Sequence, residues 1–356
     1  MKIIILKIII TFCYAVCTLA MKAVNLQDYG GPEKLVLETS VPIPTPRTDQ
    51  ILIRIHAFAV NRADTLIRKG LLGKSNEQWK ILGLECAGTV HSVGDVSTSF
   101  KVGDRVMALL PGGGYSEYVA VHKDHVMRIP DNLNFTQAAA IPEVWLTSWQ
   151  LLRLIAKFEP GETVLIHAAG SGIGTAAIQI VRVLGGKSIA VAGTEEKLQK
   201  AKELGANFVV NYKEEDIAQA VENATDGKGA NIILDCVGAQ NWERNMRSLA
   251  LDGRWVLYGL LGGGDISGSF FRQLLMKRGS LLTSLLKPRS DDYKSKLVKS
   301  FSSNCLSKFE SGEYVPVIDS CLPMKNTADA HKRMEGNLNL GKIVLKVDED
   351  KDKDEL

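Results

Sequence analysis

The sequence predicts an α/β fold in two domains, a small barrel-like all-β domain and a doubly wound parallel sheet. Three observations predict it. Residues 164–179 read as a short apolar strand, a glycine-rich turn and the start of a helix. Short strand candidates alternating with helical stretches follow that turn, which is the pattern of a parallel sheet covered on both faces. Residues 21 to about 143 instead carry several short strands punctuated by Gly and Pro, without long helices between them.

Before the first domain, Met1, Lys2 and Lys7 form a basic start, residues 8–17 an apolar run, and Thr18-Leu19-Ala20 a small-residue cleavage site. Residues 1–20 therefore read as a signal peptide, because the apolar run is shorter than the roughly 20 residues a bilayer crossing needs. The last four residues, Lys353-Asp354-Glu355-Leu356, spell a retention address read by the KDEL receptor. Together the two signals place the chain in the endoplasmic reticulum lumen, with 348–356 as a charged tail.

Within 21–143 the strand candidates are 51–60, 83–93 and 104–110. The strand at 164–167 is bounded by Gly161 and Gly170, and apolar residues at helical spacing occupy 176–184. Strands at 189–192, 208–210, 231–235 and 254–258 continue the alternation. Residues 291–309 read as a helix, followed by strands at 314–318 and 342–347 that return to the first domain. The expected organisation is thus 21–143 with 288–347 as one domain and 144–287 as the other.

At a strand-to-helix turn of this kind the free N–H groups and the positive end of the helix dipole face an anion. The turn does not spell G-x-G-x-x-G, since Ala169 and Ser171 occupy the first two glycine positions, but Gly174 fits the third. A dinucleotide pyrophosphate is the implied ligand. About 20 residues on, where a carboxylate would bond the ribose of NAD, stand Gly193 and Thr194, with Lys197 one turn later. A 2′-phosphate there meets a donor and a cation, so NADPH is expected over NADH.

Composition adds exclusions. A net charge of +3 with no basic block implies neither nucleic acid nor an anionic membrane surface as partner, and no further spanning segment follows the leader. Of six cysteines, Cys13 and Cys17 leave with the leader. Cys86 and Cys236 read as buried thiols, whereas Cys305 and Cys321 flank a loop region and form a candidate disulfide in an oxidising lumen. Asn134 and Asn223 head glycosylation sequons. His122 and His125 read as surface histidines.

Several segments carry a family resemblance over 21–347. They include Gly30-Gly31-Pro32-Glu33, Asn61-Arg62-Ala63-Asp64, Ile81-Leu82-Gly83-Leu84-Glu85, Pro111-Gly112-Gly113-Gly114 and Gln137-Ala138-Ala139-Ala140-Ile141-Pro142-Glu143. Asn211-Tyr212-Lys213, Asp252-Gly253-Arg254-Trp255 and Gly341-Lys342-Ile343-Val344-Leu345 continue the series. The chain resembles the zeta-crystallin-type NADPH:quinone oxidoreductases of the medium-chain dehydrogenase/reductase superfamily, most closely the tumour-suppressor-inducible branch.

That resemblance implies a GroES-like domain joined to a Rossmann domain, and a homodimer. It also implies no catalytic metal, because Asn61 and Leu84 stand where zinc-dependent relatives have a cysteine and a histidine, and neither can ligate zinc. No tyrosine is followed four residues later by lysine, which removes the short-chain reductase arrangement. Hydride transfer from NADPH to a quinone or related conjugated carbonyl is the implied reaction. The rivals are an enoyl or alkenal double-bond reductase and a luminal NADPH-binding protein with little turnover.

By the same resemblance Ser171 and Asn61 lie beside nicotinamide and substrate, and Gly172, Ile173 and Gly174 hold the pyrophosphate. Gly193, Thr194, Lys197 and Tyr212 surround the 2′-phosphate. Thr147, Tyr258, Gly259, Leu260, Leu285 and Asn339 line the rest of the cofactor cleft. Leu72 occupies the position of a family tyrosine thought to contact substrate, so the family's substrate choice does not carry over through that position.

Overall fold

The computed structural model describes residues 20–72, 80–94 and 98–347. Residues 1–19, most of the expected signal peptide, and residues 348–356, with the expected retention signal, lie outside the described residues. Ala20 opens the first strand, Ala20–Leu26, which pairs antiparallel with Leu35–Pro42.

A seven-stranded sheet centres on Gln50–Val60, which pairs antiparallel with Lys342–Lys346, Glu85–Val93 and Tyr118–His122. Arg105–Leu109 and Val126–Arg128 extend one side, and Ile318–Pro323 lies parallel to Lys342–Lys346 on the other. The chain after residue 310 therefore returns to the first sheet. The second sheet has six parallel strands in the order Phe208–Asn211, Lys187–Ala192, Thr163–Ile166, Ala230–Asp235, Leu249–Leu257, Ser280–Thr283. Its chain order reverses between Thr163–Ile166 and Ala230–Asp235, and ligands of such sheets bind beyond the strand C-termini at that reversal.

Burial explains why these strands read as unbroken apolar runs. Val164, Leu165 and Ile166 are fully buried, as are Ile232, Ile233 and Leu234 beside them, because helices cover both faces. Ala57, Ala59, Ala87 and Met107 of the first sheet join the same core cluster as Val164, Ile166 and Ala176. One continuous apolar core thus fixes the two sheets relative to each other.

Helix Pro142–Trp149 is the hinge piece of this junction. Proline at its first position has no N–H to leave unpaired. The helix spans the expected domain boundary at 143/144 and packs against Gly172–Val183 and Asp291–Glu310.

The structure corrects three local expectations. Residues 314–317 are not strand: Tyr314 is buried in an aromatic cluster with Trp145 and Phe309, with ring centroids 4.9 and 5.5 Å away. No disulfide joins Cys305 to Cys321, because Cys305 faces the core from helix Asp291–Glu310 while Cys321 is exposed on its strand. His125 is buried rather than superficial, with Nε2 3.2 Å from the Asp291 carbonyl oxygen, and burial lowers its pKa. Asn134 and Asn223 are both exposed.

Candidate active site in the interdomain cleft

The glycine turn leaves strand Thr163–Ile166 through Ala168, whose φ of 50° lies in the left-handed region. Ser171 then caps helix Gly172–Val183, its Oγ accepting the Gly174 N–H at 3.0 Å. A Cβ on Gly174 would stand 2.5 Å from the Ala168 carbonyl oxygen and 2.6 Å from the Ala169 Cα, so only glycine lets the helix approach the strand this closely. The helix N-terminus presents its free N–H groups and positive dipole end at this turn, a geometry suited to an anion.

Beyond the second strand, Thr194 caps helix Glu195–Glu203, its Oγ1 accepting the Lys197 N–H at 3.4 Å. Tyr212 lies over Gly193: a Cβ there would meet the ring and hydroxyl at 2.7 Å. Half of the Tyr212 side chain remains exposed, leaving a face for a ligand. Lys197 crosses the glycine turn and donates from Nζ to the Asn337 carbonyl oxygen at 2.7 Å. Desolvation lowers its pKa; Asp319 and Glu196 oppose that shift, and Lys213 and Arg333 add to it. Lys213 and Arg333 are therefore further cations of this region that the sequence reading missed. Lys213 directly follows Tyr212, a usable signal, whereas Arg333 is brought in by its double hydrogen bond to Asp319 at 2.6 and 2.9 Å, which nothing local announces.

The first domain contributes a buried charged cluster. Asn61 caps helix Arg62–Arg68, and its own N–H donates to Asp64 Oδ2 at 2.9 Å. The Asn61 side chain accepts from Lys342 Nζ at 2.6 Å and donates to Glu85 Oε1 at 2.8 Å. Lys342 Nζ also lies 2.6 Å from Glu85 Oε1 and donates to the Val60 carbonyl at 2.9 Å, so its three N–H donors have three acceptors. Asp64, fully buried, is pushed up to about 6 by desolvation. Leu84, beside Glu85, is buried and apolar.

These positions bear on the two residues expected at the reacting centre. Ser171 Oγ is engaged as a helix cap, and the Asn61 amide is clamped between a cation and a carboxylate. Both side chains are thus held in fixed orientations, and Lys342, which bonds Asn61, also approaches Gly172 next to Ser171. Glu85 and Lys342 went unassigned in the sequence, although a charged residue inside an apolar strand was visible at each position.

Several of the other residues expected to line the cofactor cleft lie at strand ends of the parallel sheet. Tyr258, Gly259 and Leu260 follow strand Leu249–Leu257, and Leu285 follows Ser280–Thr283, all at strand C-terminal ends. Leu260 and Leu285 are exposed, whereas Thr147 and Asn339 are buried, the latter donating to the Gly341 carbonyl at 2.8 Å. The Gly341 N–H in turn donates to the Gly170 carbonyl at 2.8 Å, tying the C-terminal segment to the glycine turn. Ile173 is partly buried against the main core, and Leu72 against that of the first domain. A separate cavity of about 700 Å³ lies among helices Ile217–Ala224, Trp242–Ser248 and Phe270–Met276, outside this constellation.

Residues 47–131 match the alcohol dehydrogenase GroES-like domain and residues 172–303 the zinc-binding dehydrogenase family. Human quinone oxidoreductase is 32% identical over 328 residues, covering 91% of this chain and 97% of that protein. The chain belongs to the quinone oxidoreductase family of the medium-chain dehydrogenase/reductase superfamily. Among solved structures, the Escherichia coli quinone oxidoreductase complexed with NADPH superposes with a TM-score of 0.82 at 31% identity, covering 92% of this chain and all of that one. An NAD-dependent alcohol dehydrogenase superposes with a TM-score of 0.81 at 32% identity over the same shares. Family membership therefore fixes the architecture, and the choice of dinucleotide falls to the residues around Gly193.

Proposed function

We propose that the chain is an NADPH-dependent reductase of quinones. The observation that carries this reading is the pairing of a tight pyrophosphate turn at Gly174 with a carboxylate-free second strand end, Gly193-Thr194, flanked by Lys197, Lys213 and Arg333. An acidic side chain at that strand end would favour the ribose hydroxyls of NAD and repel a phosphate; cations do the reverse. The names of the relatives support quinones as acceptors, and the NADPH bound to the Escherichia coli relative supports the cofactor.

When bound, NADPH supplies the hydride. The N-terminus of Gly172–Val183 would hold the cofactor's pyrophosphate, and Asn61, its amide clamped by Lys342 and Glu85, would be held in one orientation toward it. Steady-state oxidation of NADPH and NADH with ortho-quinones, para-quinones and 2-alkenals tests the reading. The expected outcome is quinone turnover with NADPH preferred; turnover of 2-alkenals alone would instead make it a double-bond reductase, and binding without oxidation would sink both.

Two further parts of the proposal concern the chain's setting. The terminal segments support residence in the endoplasmic reticulum lumen through the KDEL receptor, and secretion after deletion of the last four residues checks it. A homodimer is supported by the open edge of the six-stranded sheet at Ser280–Thr283.

A further inference from the structure

Hydride transfer to a quinone leaves negative charge on an acceptor oxygen, and a positioned acid that protonates that oxygen accelerates the step. Asn61 and Lys342 do not serve as that acid, since the amide and all three ammonium N–H groups are committed to neighbours within the chain. The adjoining helix holds a carboxyl group that nothing else uses.

Glu143 is the second residue of Pro142–Trp149. Its backbone N–H donates to Glu85 Oε2 at 2.9 Å, while the other oxygen of Glu85 holds Asn61 and Lys342. The next residue flanks the cofactor helix: a Cβ on Gly172 would stand 2.8 Å from both Val144 Cγ1 and Lys342 Cδ. The Glu143 backbone is thereby fixed against Glu85 at the start of a helix whose next residue touches Gly172, and its carboxyl group lies close enough to Glu85, Asp64 and Lys342 to feel their charges. It is half-buried, and among the described residues no hydrogen bond reaches its carboxyl group.

We propose that Glu143 is the proton donor of the reductase, passing its carboxyl proton to the acceptor oxygen made negative by hydride transfer. The inference rests on the quinone-reductase reading. The acceptor gains two electrons and one hydrogen as hydride from the reduced nicotinamide, which is oxidised. The O–H bond of Glu143 breaks, its electron pair stays on the carboxylate, and the proton completes the hydroquinone. Glu143 is half-buried rather than sealed, so solvent reprotonates the carboxylate before the next turnover.

The surroundings hold the group protonated at neutral pH. Burial, then the charge of Glu85 from its strand and of Asp64 from helix Arg62–Arg68, push its pKa up. Lys342 from its strand and Lys294 from helix Asp291–Glu310 act against them, and the result is about 8. A general acid works best with a pKa near the operating pH.

Glu143→Gln and Glu143→Asp test the assignment. Expected for Glu143→Gln is unchanged NADPH affinity by fluorescence titration and a kcat lower by roughly 10²- to 10³-fold, with the larger loss for quinones whose hydroquinones are weaker acids. Wild-type kcat should fall as pH rises through about 8, the limb should vanish in Glu143→Gln, and Glu143→Asp should restore part of both rate and limb. Infrared titration of the cofactor-free protein gives a readout without turnover: a protonated-carboxyl band that disappears near pH 8 in the wild type and is missing in Glu143→Gln. A Glu143→Gln rate within about threefold of wild type with the same pH profile overturns the inference and leaves the reductase reading standing. A carboxyl that titrates in the ordinary range overturns it equally. A wild type that reduces no quinone overturns both.

Discussion

Lys197 is bonded to the chain's own backbone. Its Nζ sits on the Asn337 carbonyl, and Asn337, at a φ of 54°, also accepts Arg62 from the first domain at 2.6 Å. A 2′-phosphate would exchange that neutral acceptor for a dianionic one. Hydrogen bonds to charged groups contribute about 1.5–3 kcal/mol, or roughly 10- to 150-fold in affinity. Lys197→Ala is therefore expected to raise the Kd for NADPH by that factor while moving the Kd for NADH little, read by fluorescence titration of the free protein; equal losses would show that Lys197 does not meet the 2′-phosphate. At this scale the sequence pointed to Lys197 because the signal is local, a missing carboxylate and a cation one turn on, whereas Tyr212 came only from the family resemblance. Arg333 and Asn337 were hidden because they arrive from the far end of the chain, held by Asp319 and by Arg62.

Strands and helices were more legible than the contacts between them. The run 164–167 and the helix behind it appear as Thr163–Ile166 and Gly172–Val183, since burial on both faces and the change of period leave a strong pattern. Residues 314–318 misled because Tyr314 and Val315 are strand-like by composition, while tertiary packing against Trp145 decides their conformation. Helix Pro142–Trp149 was not read at all, and it carries Glu143. The pairing of strand Glu85–Val93 with Lys342–Lys346 across Gln50–Val60 also escaped, although it buries an ion pair whose partners are almost wholly shielded from solvent. Breaking a buried pair by removing one partner costs about 3–5 kcal/mol because the other charge is left uncompensated. Lys342→Met is accordingly expected to lose that much stability in denaturant unfolding, and Lys342→Met with Glu85→Gln to recover a large part of it. A double variant no more stable than the single one would mean that the loss comes from packing around the lysine stem rather than from the stranded carboxylate.

For the whole molecule, the proposed dimer follows from how the six-stranded sheet ends. Ser280–Thr283 pairs on one side with Leu249–Leu257, which leaves its outer row of N–H and C=O groups without strand partners among the described residues. Such an edge recruits another strand unless it is blocked. The preceding helix Phe270–Met276 exposes Phe271, Leu275 and Met276 at 83%, 76% and 73%, beside the exposed Arg272, an apolar surface that water disfavours. A two-fold axis at the edge would set two copies of the strand antiparallel, satisfy both rows of backbone groups and bury both helices at once. Leu281→Lys with Phe271→Glu would place like charges opposite their own copies. Sedimentation velocity at micromolar concentration is expected to show a dimer for the wild type and a monomer for the double variant, with NADPH affinity preserved. A wild type that sediments as a monomer would remove the edge from the proposal, and a monomeric variant unable to bind NADPH would mean that the partner shapes the cleft.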